Sequence, residues 1–109
     1  MAINGFGSPS EIQALERSLV QRYGVKVTHV SADLSKPEQC RQVVQNAEAQ
    51  MGAPMDILVN NAGIQHVSPL ATFPEERWDA VIAINLSAAF HTSKACLPGM
   101  VERGFGRII

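Results

Sequence analysis

The stretch Ile57-Leu58-Val59-Asn60-Asn61-Ala62-Gly63 decides the fold class. Its three apolar residues predict a short strand buried on both faces, as in a parallel sheet covered by helices. Small and amide residues follow, and they suit a backbone that a flat ligand approaches closely. Ligands of open α/β sheets bind beyond the carboxyl ends of the strands, where these residues fall. The alternative is that these residues form an ordinary polar turn, and the flanking sequence is needed to distinguish this turn from a ligand-binding strand end.

Helix signals precede this strand. Ser8-Pro9-Ser10-Glu11 and Ser35-Lys36-Pro37-Glu38 are both typical of a capping box with proline in the first turn. Gly24 and Gly52 are placed to end the two helices. The apolar positions between these signals repeat at three and four residues: Ile12, Leu15, Leu19 and Tyr23 in the first helix, and Cys40, Val43, Val44, Ala47 and Met51 in the second. We therefore expect Tyr23 to face the core.

Strands and helices alternate along the rest of the chain. Residues 25–30 and 56–59 are predicted strands, while Ala2-Ile3 and Arg107-Ile108-Ile109 resemble the end and the beginning of two more. Pro74 opens a long helical region that runs through residue 103. This alternation predicts an α/β fold of right-handed βαβ units, with residues 1–109 forming one partial domain.

Composition narrows the function classes. The 109 residues are 46% hydrophobic and 17% charged with a net charge of -1, which is typical of a globular protein and argues against nucleic acid as a partner. No apolar stretch approaches the roughly 20 residues of a membrane span, and the start lacks a signal-peptide pattern. We expect a cytoplasmic protein that binds a small molecule, with Cys40 and Cys96 as buried free thiols and no metal site.

Three motifs resemble a known family. Asp33-Leu34, Asn60-Asn61-Ala62-Gly63 and Ile84-Asn85-Leu86-Ser87, in this order and spacing, are similar to the middle of a short-chain dehydrogenase/reductase. Within that family, Asn4-Gly5-Phe6-Gly7 and Gly63-Ile64-Gln65-His66-Val67 most resemble the D-3-hydroxybutyrate dehydrogenases. The resemblance implies a partial NAD-binding (Rossmann-like) domain, a doubly wound parallel sheet that lacks the first strand and the C-terminal half.

The same resemblance implies that two functional segments lie outside the 109 residues. The glycine-rich phosphate turn would precede Met1, and the family's catalytic serine and Tyr-x-x-x-Lys pair would follow Ile109. Tyr23 is not that tyrosine, because the lysine after it, Lys26, is one residue too close. In a sheet of order 3-2-1-4-5-6 the missing first strand is central, so we expect two unconnected parts with exposed edges and marginal stability.

The resemblance assigns the adenosine side of an NAD site to two loops. Asn4 follows the second strand, where the family usually has an acidic residue on the ribose hydroxyls. An amide still bonds a hydroxyl, and no arginine adjoins it to receive a 2′-phosphate, so NAD is expected. Asp33 would accept from the adenine amino group while the Leu34 backbone lines the pocket. Asp33 is otherwise a loop aspartate, although Ser35 makes it unnecessary as a helix cap.

The resemblance places Asn60, Ala62 and Gly63 against the ribose and the nicotinamide, and has Asn61 brace neighbouring strands. Gln65 matches a glutamine that contacts the substrate carboxylate, although a loop glutamine more often faces solvent.

Asn85 lies within an otherwise apolar helical segment, where an amide competes with backbone hydrogen bonds. In the family this asparagine interrupts the helix, and its carbonyl holds a water of the proton relay. A surface asparagine at a helix bend is the alternative. Apolar residues lie on more than one face of this helix and predict a homo-oligomer, a dimer or tetramer, in the full-length protein: Leu86, Ala89, Phe90, Leu97 and Met100.

The implied function is that of a fragment of an NAD-dependent dehydrogenase. The full-length enzyme would interconvert 3-hydroxybutyrate and acetoacetate, a reaction of ketone body metabolism, by hydride transfer. The isolated fragment is expected to be inactive. Two alternatives remain open: another short-chain reductase, acting on 3-oxoacyl or sugar-alcohol substrates, and a non-catalytic truncated product that acts through subunit association.

Overall fold

The computed structural model describes residues 1–109 and confirms the α/β architecture. Four short strands alternate with helices: β1 (Ala2–Ile3), α1 (Pro9–Tyr23), β2 (Thr28–His29), α2 (Pro37–Met51), β3 (Ile57–Leu58), a 3-10 turn (Leu70–Thr72), α3 (Glu75–Ile82), a π-helical turn (Ala83–Ser87), α4 (Ala88–Arg103) and β4 (Arg107–Ile108). Strands at residues 25–30 and 56–59 are thus present but shorter than expected.

The strands form two separate parallel pairs. β1 pairs with β2 in the register Ala2 to Thr28, and β3 pairs with β4 in the register Ile57 to Arg107. No strand joins the two pairs. This is the break that the order 3-2-1-4-5-6 predicts when the central strand is absent.

Helix α1 is capped as its sequence predicts. Ser8 accepts from the Glu11 backbone N–H, and the Glu11 carboxylate accepts from the Ser8 backbone N–H at 2.8 Å. The Ser8 hydroxyl also donates to Glu11 Oε2 at 2.7 Å, and this bond, followed by the one from the Ser8 N–H, lowers the pKa of Glu11. Gly24 ends the helix at φ 63°, a left-handed conformation that favours glycine. Tyr23, however, is 58% exposed, so the expectation that it faces the core is wrong. Only β2 packs closely against α1, which leaves this end of the helix uncovered.

Helix α2 begins differently from the prediction. Lys36, not Ser35, is the N-cap residue, and no side chain caps this helix. Ser35 instead donates its hydroxyl hydrogen to Asp33 Oδ1 at 2.7 Å. The motif Ser-x-Pro-Glu allows Ser35 either to cap α2 or to bond a residue before it. Because the Asp33 carboxylate is an acceptor two residues upstream, the second arrangement forms. Gly52 ends the helix at φ 73°, as predicted.

The core lies between α2 and α4. Val44, Cys96 and Met100 form its buried centre, with Met55 and Leu58 packed against them. Cys40 and Cys96 are buried free thiols, as expected. Burial, with a smaller effect of Glu48, raises the pKa of the Cys96 thiol to about 11.

The predicted long helical region runs from residue 75 to residue 103, and the π-helical turn at residues 83–87 interrupts its α-helical hydrogen bonding. It is long and apolar enough to cross a membrane by length and composition alone, so the expectation that no segment approaches that length is wrong. The apolar character has another physical reason, because the helix carries two apolar faces. Met100 lies on the face buried against α2, whereas Leu86, Phe90 and Leu97 lie exposed on the other. The two-faced pattern predicted from sequence is present, with Met100 belonging to the core.

Candidate active site

Asn4 follows β1 and ties the ends of the first two strands together. Its Nδ2 donates to Val30 O at 2.8 Å and to Ala32 O at 3.3 Å. Both amide hydrogens are thus directed at carbonyls of the chain that continues from β2. The Oδ1 atom accepts no hydrogen bond within the protein and remains available as an acceptor.

Asp33 forms a compact turn after β2. Its Oδ1 accepts from the Ser35 N–H at 3.0 Å and from the Ser35 hydroxyl, while Oδ2 pairs with Lys36 Nζ at 3.4 Å. The Ser35 side-chain and backbone bonds are the main reasons that the pKa of Asp33 is lowered, with Lys36 adding to the effect. The carboxylate is therefore charged and fixed in orientation at neutral pH. The N–H of the adjacent Leu34 has no partner within the chain.

Of the two consecutive asparagines after β3, Asn60 takes the bracing role expected of Asn61, while its predicted contact with a cofactor stays a prediction. Asn60 is the bracing residue: its backbone N–H donates to Ile109 O, and its Oδ1 accepts from the Thr92 hydroxyl at 2.7 Å. Asn61 is exposed and makes no hydrogen bond, so its predicted bracing role is wrong. The physical reason is position, because Asn60 is still in the β3–β4 ladder whereas Asn61 has left it.

Asn85 clamps the loop that follows these asparagines. Its Oδ1 accepts from the Ile64 N–H at 2.9 Å, and its Nδ2 donates to Ile64 O at 3.0 Å. Asn85 lies in the π-helical turn, where the Ala88 N–H reaches back five residues to Ala83 O. The helix is thus interrupted at this asparagine, as predicted. Single π turns of this kind often occur at functional sites.

Gly63 and Gln65 flank the clamped residue. A Cβ built at Gly63 would stand 3.6 Å from Asn85 Oδ1 with no closer contact, so the glycine keeps its other side open. Gln65 is exposed and its amide makes no hydrogen bond within the chain. Both residues therefore present free polar groups or open backbone at the carboxyl end of β3.

Thr92 is a site residue that sequence reasoning missed. It is buried in α4, and its single hydroxyl hydrogen is shared between Asn60 Oδ1 and Ala88 O, which is 2.9 Å away. The available signal was spacing, because every fourth residue of this helix is buried: Ala88, Thr92, Cys96 and Met100. A hydroxyl on that face must find an acceptor. Asn60 supplies it.

These groups offer hydrogen bonds to a polar organic ligand. Asn4 Oδ1 and the Asp33 carboxylate are acceptors, whereas the Leu34 N–H and the Gln65 amide are donors. No group of three or more His, Cys, Asp or Glu side chains is arranged to hold a metal ion. The chemistry available here is hydrogen bonding to hydroxyl, amino and carboxylate groups.

Comparisons with known proteins place this arrangement in context. The family model for short chain dehydrogenase matches residues 7–109. The D-beta-hydroxybutyrate dehydrogenase of Cupriavidus necator is 47% identical over 107 residues, and that of Rhizobium meliloti is 40% identical over 109 residues. These matches cover 98% and 100% of this chain but 40% and 42% of the relatives, so the chain spans about two fifths of their length.

Solved structures share the fold. A metagenomic short-chain oxidoreductase in complex with NADP superposes on 98% of this chain with a TM-score of 0.86 at 30% identity, and the match covers 48% of that protein. A gluconate 5-dehydrogenase from Burkholderia cenocepacia, in complex with NADP and tartrate, gives a TM-score of 0.81 at 33% identity over 98% of this chain and 41% of its own. The two strand pairs therefore stand together much as in these larger sheets.

Proposed function

Because this chain belongs to the short-chain dehydrogenase/reductase family, we propose that residues 1–109 supply the adenosine side and part of the nicotinamide side of an NAD site. The enzyme containing them would oxidise 3-hydroxybutyrate to acetoacetate. The observation that carries this proposal is the set of unpartnered groups on loops that follow three successive strands: Asn4 Oδ1, the Leu34 N–H and the Gln65 amide. The cofactor, when bound, accepts a hydride from the substrate.

The hydrogen bonds that Asn4 already makes favour NAD over NADP as the cofactor. Since Val30 O and Ala32 O take both amide hydrogens, only the Oδ1 acceptor faces a ligand. A ribose 2′-hydroxyl can donate to this oxygen. A dianionic 2′-phosphate has no hydrogen to donate and would be repelled by the amide oxygen. Neighbouring Asp33 carries a negative charge, which disfavours a phosphate further.

Asp33 and Leu34 form a complementary pair for adenine. The carboxylate accepts from the exocyclic amino group, and the free Leu34 N–H donates to a ring nitrogen. Ser35 fixes the carboxylate before the ligand arrives, so little side-chain entropy remains to be lost on binding. The hydrogen bonds between Asp33 and Ser35 therefore hold the Asp33 carboxylate in the orientation that accepts from adenine.

Gln65 and Asn85 support the substrate side. Asn85 holds Ile64 at both its N–H and its carbonyl, which fixes the loop one residue before Gln65. We assign the Gln65 amide as a donor to the substrate carboxylate, and the Asn85 carbonyl as the holder of a water in the proton relay. Oxidation removes a hydride from C3 and a proton from its hydroxyl, leaving the ketone. Residues 1–109 contain no Tyr-x-x-x-Lys to take that proton, so this chain alone should show no turnover.

Ligand titration tests the cofactor site. Isotope-labelled chain is titrated with adenosine and with adenosine 2′-monophosphate while backbone amide shifts are recorded. We expect adenosine to shift the Leu34 amide, and the 2′-phosphate to weaken binding about tenfold, which corresponds to 1.4 kcal/mol. The variant Asn4→Ala should reduce the difference in affinity between adenosine and adenosine 2′-monophosphate. The control variant Asn46→Ala, on the exposed side of α2, should leave that difference unchanged. Equal binding of the two ligands would contradict the NAD assignment.

A chimera tests the reaction. The 107 matched residues of this chain replace their counterparts in the Cupriavidus necator dehydrogenase, and 3-hydroxybutyrate oxidation is followed by NADH absorbance. We expect activity, with Gln65→Ala raising KM for the hydroxy acid more than it lowers kcat, because its contact is made in the ground state. Gluconate and a 3-hydroxyacyl thioester serve as competing substrates. A folded, NAD-binding chimera that prefers either of them would contradict the substrate assignment.

The long helix supports self-association of the complete enzyme. Leu86 is 65% exposed and Phe90, four residues later, is 60% exposed. Leu97 is a further exposed apolar residue of the same helix. An isologous contact between two copies would cover these side chains. We propose a homo-oligomer assembled through this face, with no membrane or nucleic acid partner and a cytoplasmic location.

A further inference from the structure

The loop at residues 61–67, which follows the end of the β3–β4 ladder, is exposed except at one side chain. His66 is partly buried, whereas every other residue of this loop is exposed, and Val67 directly after it is 82% exposed. Only Ile64 makes a hydrogen bond to the rest of the chain, through its two bonds with Asn85. The imidazole of His66 makes none. Packing rather than hydrogen bonding therefore holds His66 in place.

That packing is an edge-to-face contact with Phe73. The two ring centroids are 5.2 Å apart, and the ring planes meet at 84°. Aromatic pairs prefer this T-shaped geometry, because the positive edge of one ring meets the negative face of the other. Phe73 in turn makes a T-shaped contact with Trp78 of α3, at 6.5 Å and 81°. The three rings join the loop to the helix that follows it.

Gln65 lies between two anchored residues. Before it, Asn85 holds the Ile64 N–H and carbonyl at 2.9 and 3.0 Å. After it, the His66 ring is held by Phe73. Consecutive Cα atoms are a fixed distance of about 3.8 Å apart, so anchoring both neighbours leaves the Gln65 backbone little room to move.

Nothing that Gln65 does itself fixes its position. Its side chain is exposed, and its amide makes no hydrogen bond within the chain. Asn85 and Trp78, by contrast, both belong to the helical region at residues 75–103. This one helical region therefore sets the path of the loop on each side of Gln65.

We propose that His66 is a positioning residue for the substrate. Its ring, packed against Phe73, fixes the backbone after Gln65 and so presents the Gln65 amide to the substrate carboxylate. The inference rests on the proposed function and deepens it, because it adds a second determinant of hydroxy-acid binding. The shape of the aromatic ring performs this role, and the ring nitrogens are not needed for it. A direct contact between imidazole and carboxylate is the alternative, and it requires those nitrogens.

Three variants of the 109-residue chain test the anchor without any substrate. His66→Ala removes the ring, His66→Phe keeps an aromatic ring without nitrogens, and Val67→Ala is the control at an exposed neighbour. Backbone order parameters are measured by NMR relaxation. We expect a value of about 0.85 for the Gln65 amide in the unsubstituted chain and below about 0.6 in His66→Ala. His66→Phe and Val67→Ala should retain the higher value.

A double-mutant cycle in the chimera with the Cupriavidus necator dehydrogenase tests the link to the substrate. An edge-to-face contact accounts for about a fivefold change in an equilibrium constant. His66→Ala should therefore raise KM for 3-hydroxybutyrate about fivefold and change kcat little, while His66→Phe restores KM. In a Gln65→Ala background, His66→Ala should raise KM no further, because no amide remains to be positioned.

Three results would overturn the proposal. If His66→Phe raises KM as much as His66→Ala, the imidazole nitrogens contact the substrate directly. If His66→Ala has the same effect with and without the Gln65 amide, His66 stabilises the enzyme in general. An unchanged Gln65 order parameter in His66→Ala would show that the ring does not fix the backbone. A chimera that does not oxidise 3-hydroxybutyrate would refute the proposed function instead, and the order parameters would still decide whether His66 anchors Gln65.

Discussion

Replacing Asn85 by alanine should loosen the loop before Gln65 and destabilise the chain by about 1.5 kcal/mol. The variant loses two hydrogen bonds to Ile64, of 2.9 and 3.0 Å, each contributing about 1 kcal/mol net. Alanine's better helix propensity returns about 0.5 kcal/mol. Asn46→Ala is the matched control, because Asn46 is exposed on α2 and its side chain makes no hydrogen bond. The difference between the two variants, about 2 kcal/mol, isolates the clamp.

Two assays measure this effect. Urea unfolding is followed by fluorescence of Trp78, the only tryptophan, and exchange of the Ile64 amide reports the clamp locally. We expect Ile64 exchange to rise roughly tenfold in Asn85→Ala, since 1.4 kcal/mol is a factor of ten. Asn85→Asp keeps the acceptor for the Ile64 N–H and should preserve much of that protection. The reasoning is refuted if Asn85→Ala matches the Asn46 control in stability and leaves Ile64 exchange unchanged.

Three further outcomes are expected. Thr92→Val should cost about 1 kcal/mol in urea unfolding, because the half-buried Asn60 Oδ1 loses its donor; an unchanged midpoint would contradict this. Cys96, with a pKa of about 11, should react with a thiol reagent at pH 8 roughly a hundredfold more slowly than after unfolding, and equal rates would exclude its burial. The bonds from Ser35 lower the pKa of Asp33, so they stabilise the folded chain fully at pH values above the usual aspartate pKa. This stabilisation is lost as the pH falls through the lowered pKa of the folded state. NMR titration of the Ser35 amide should show this below about pH 4, and a midpoint at or above the usual value would disprove it.

Local signals were sufficient for the elements and the family. The Ser8 box and the glycines at 24 and 52 act within one helical turn, so the sequence determines these boundaries without reference to distant residues. The motif at residues 60–63 likewise identified the end of a parallel strand. The asparagine at 85, unusual in an apolar helix, predicted the interruption that the structure shows as a π turn.

Only the tertiary structure decided which polar groups are already bonded and which remain free. Asn60 and Asn61 have the same side chain, yet Asn60 bonds Thr92 on a distant helix whereas Asn61 is exposed and makes no hydrogen bond. Ser35 was equally suited to cap α2 or to hold Asp33, and the fold of the turn chose the second. Tyr23 follows the apolar period but is 58% exposed, because little of the chain packs against this end of α1. Periodicity specifies which face of an element is apolar, whereas burial and hydrogen bonding depend on what the rest of the chain brings to that face.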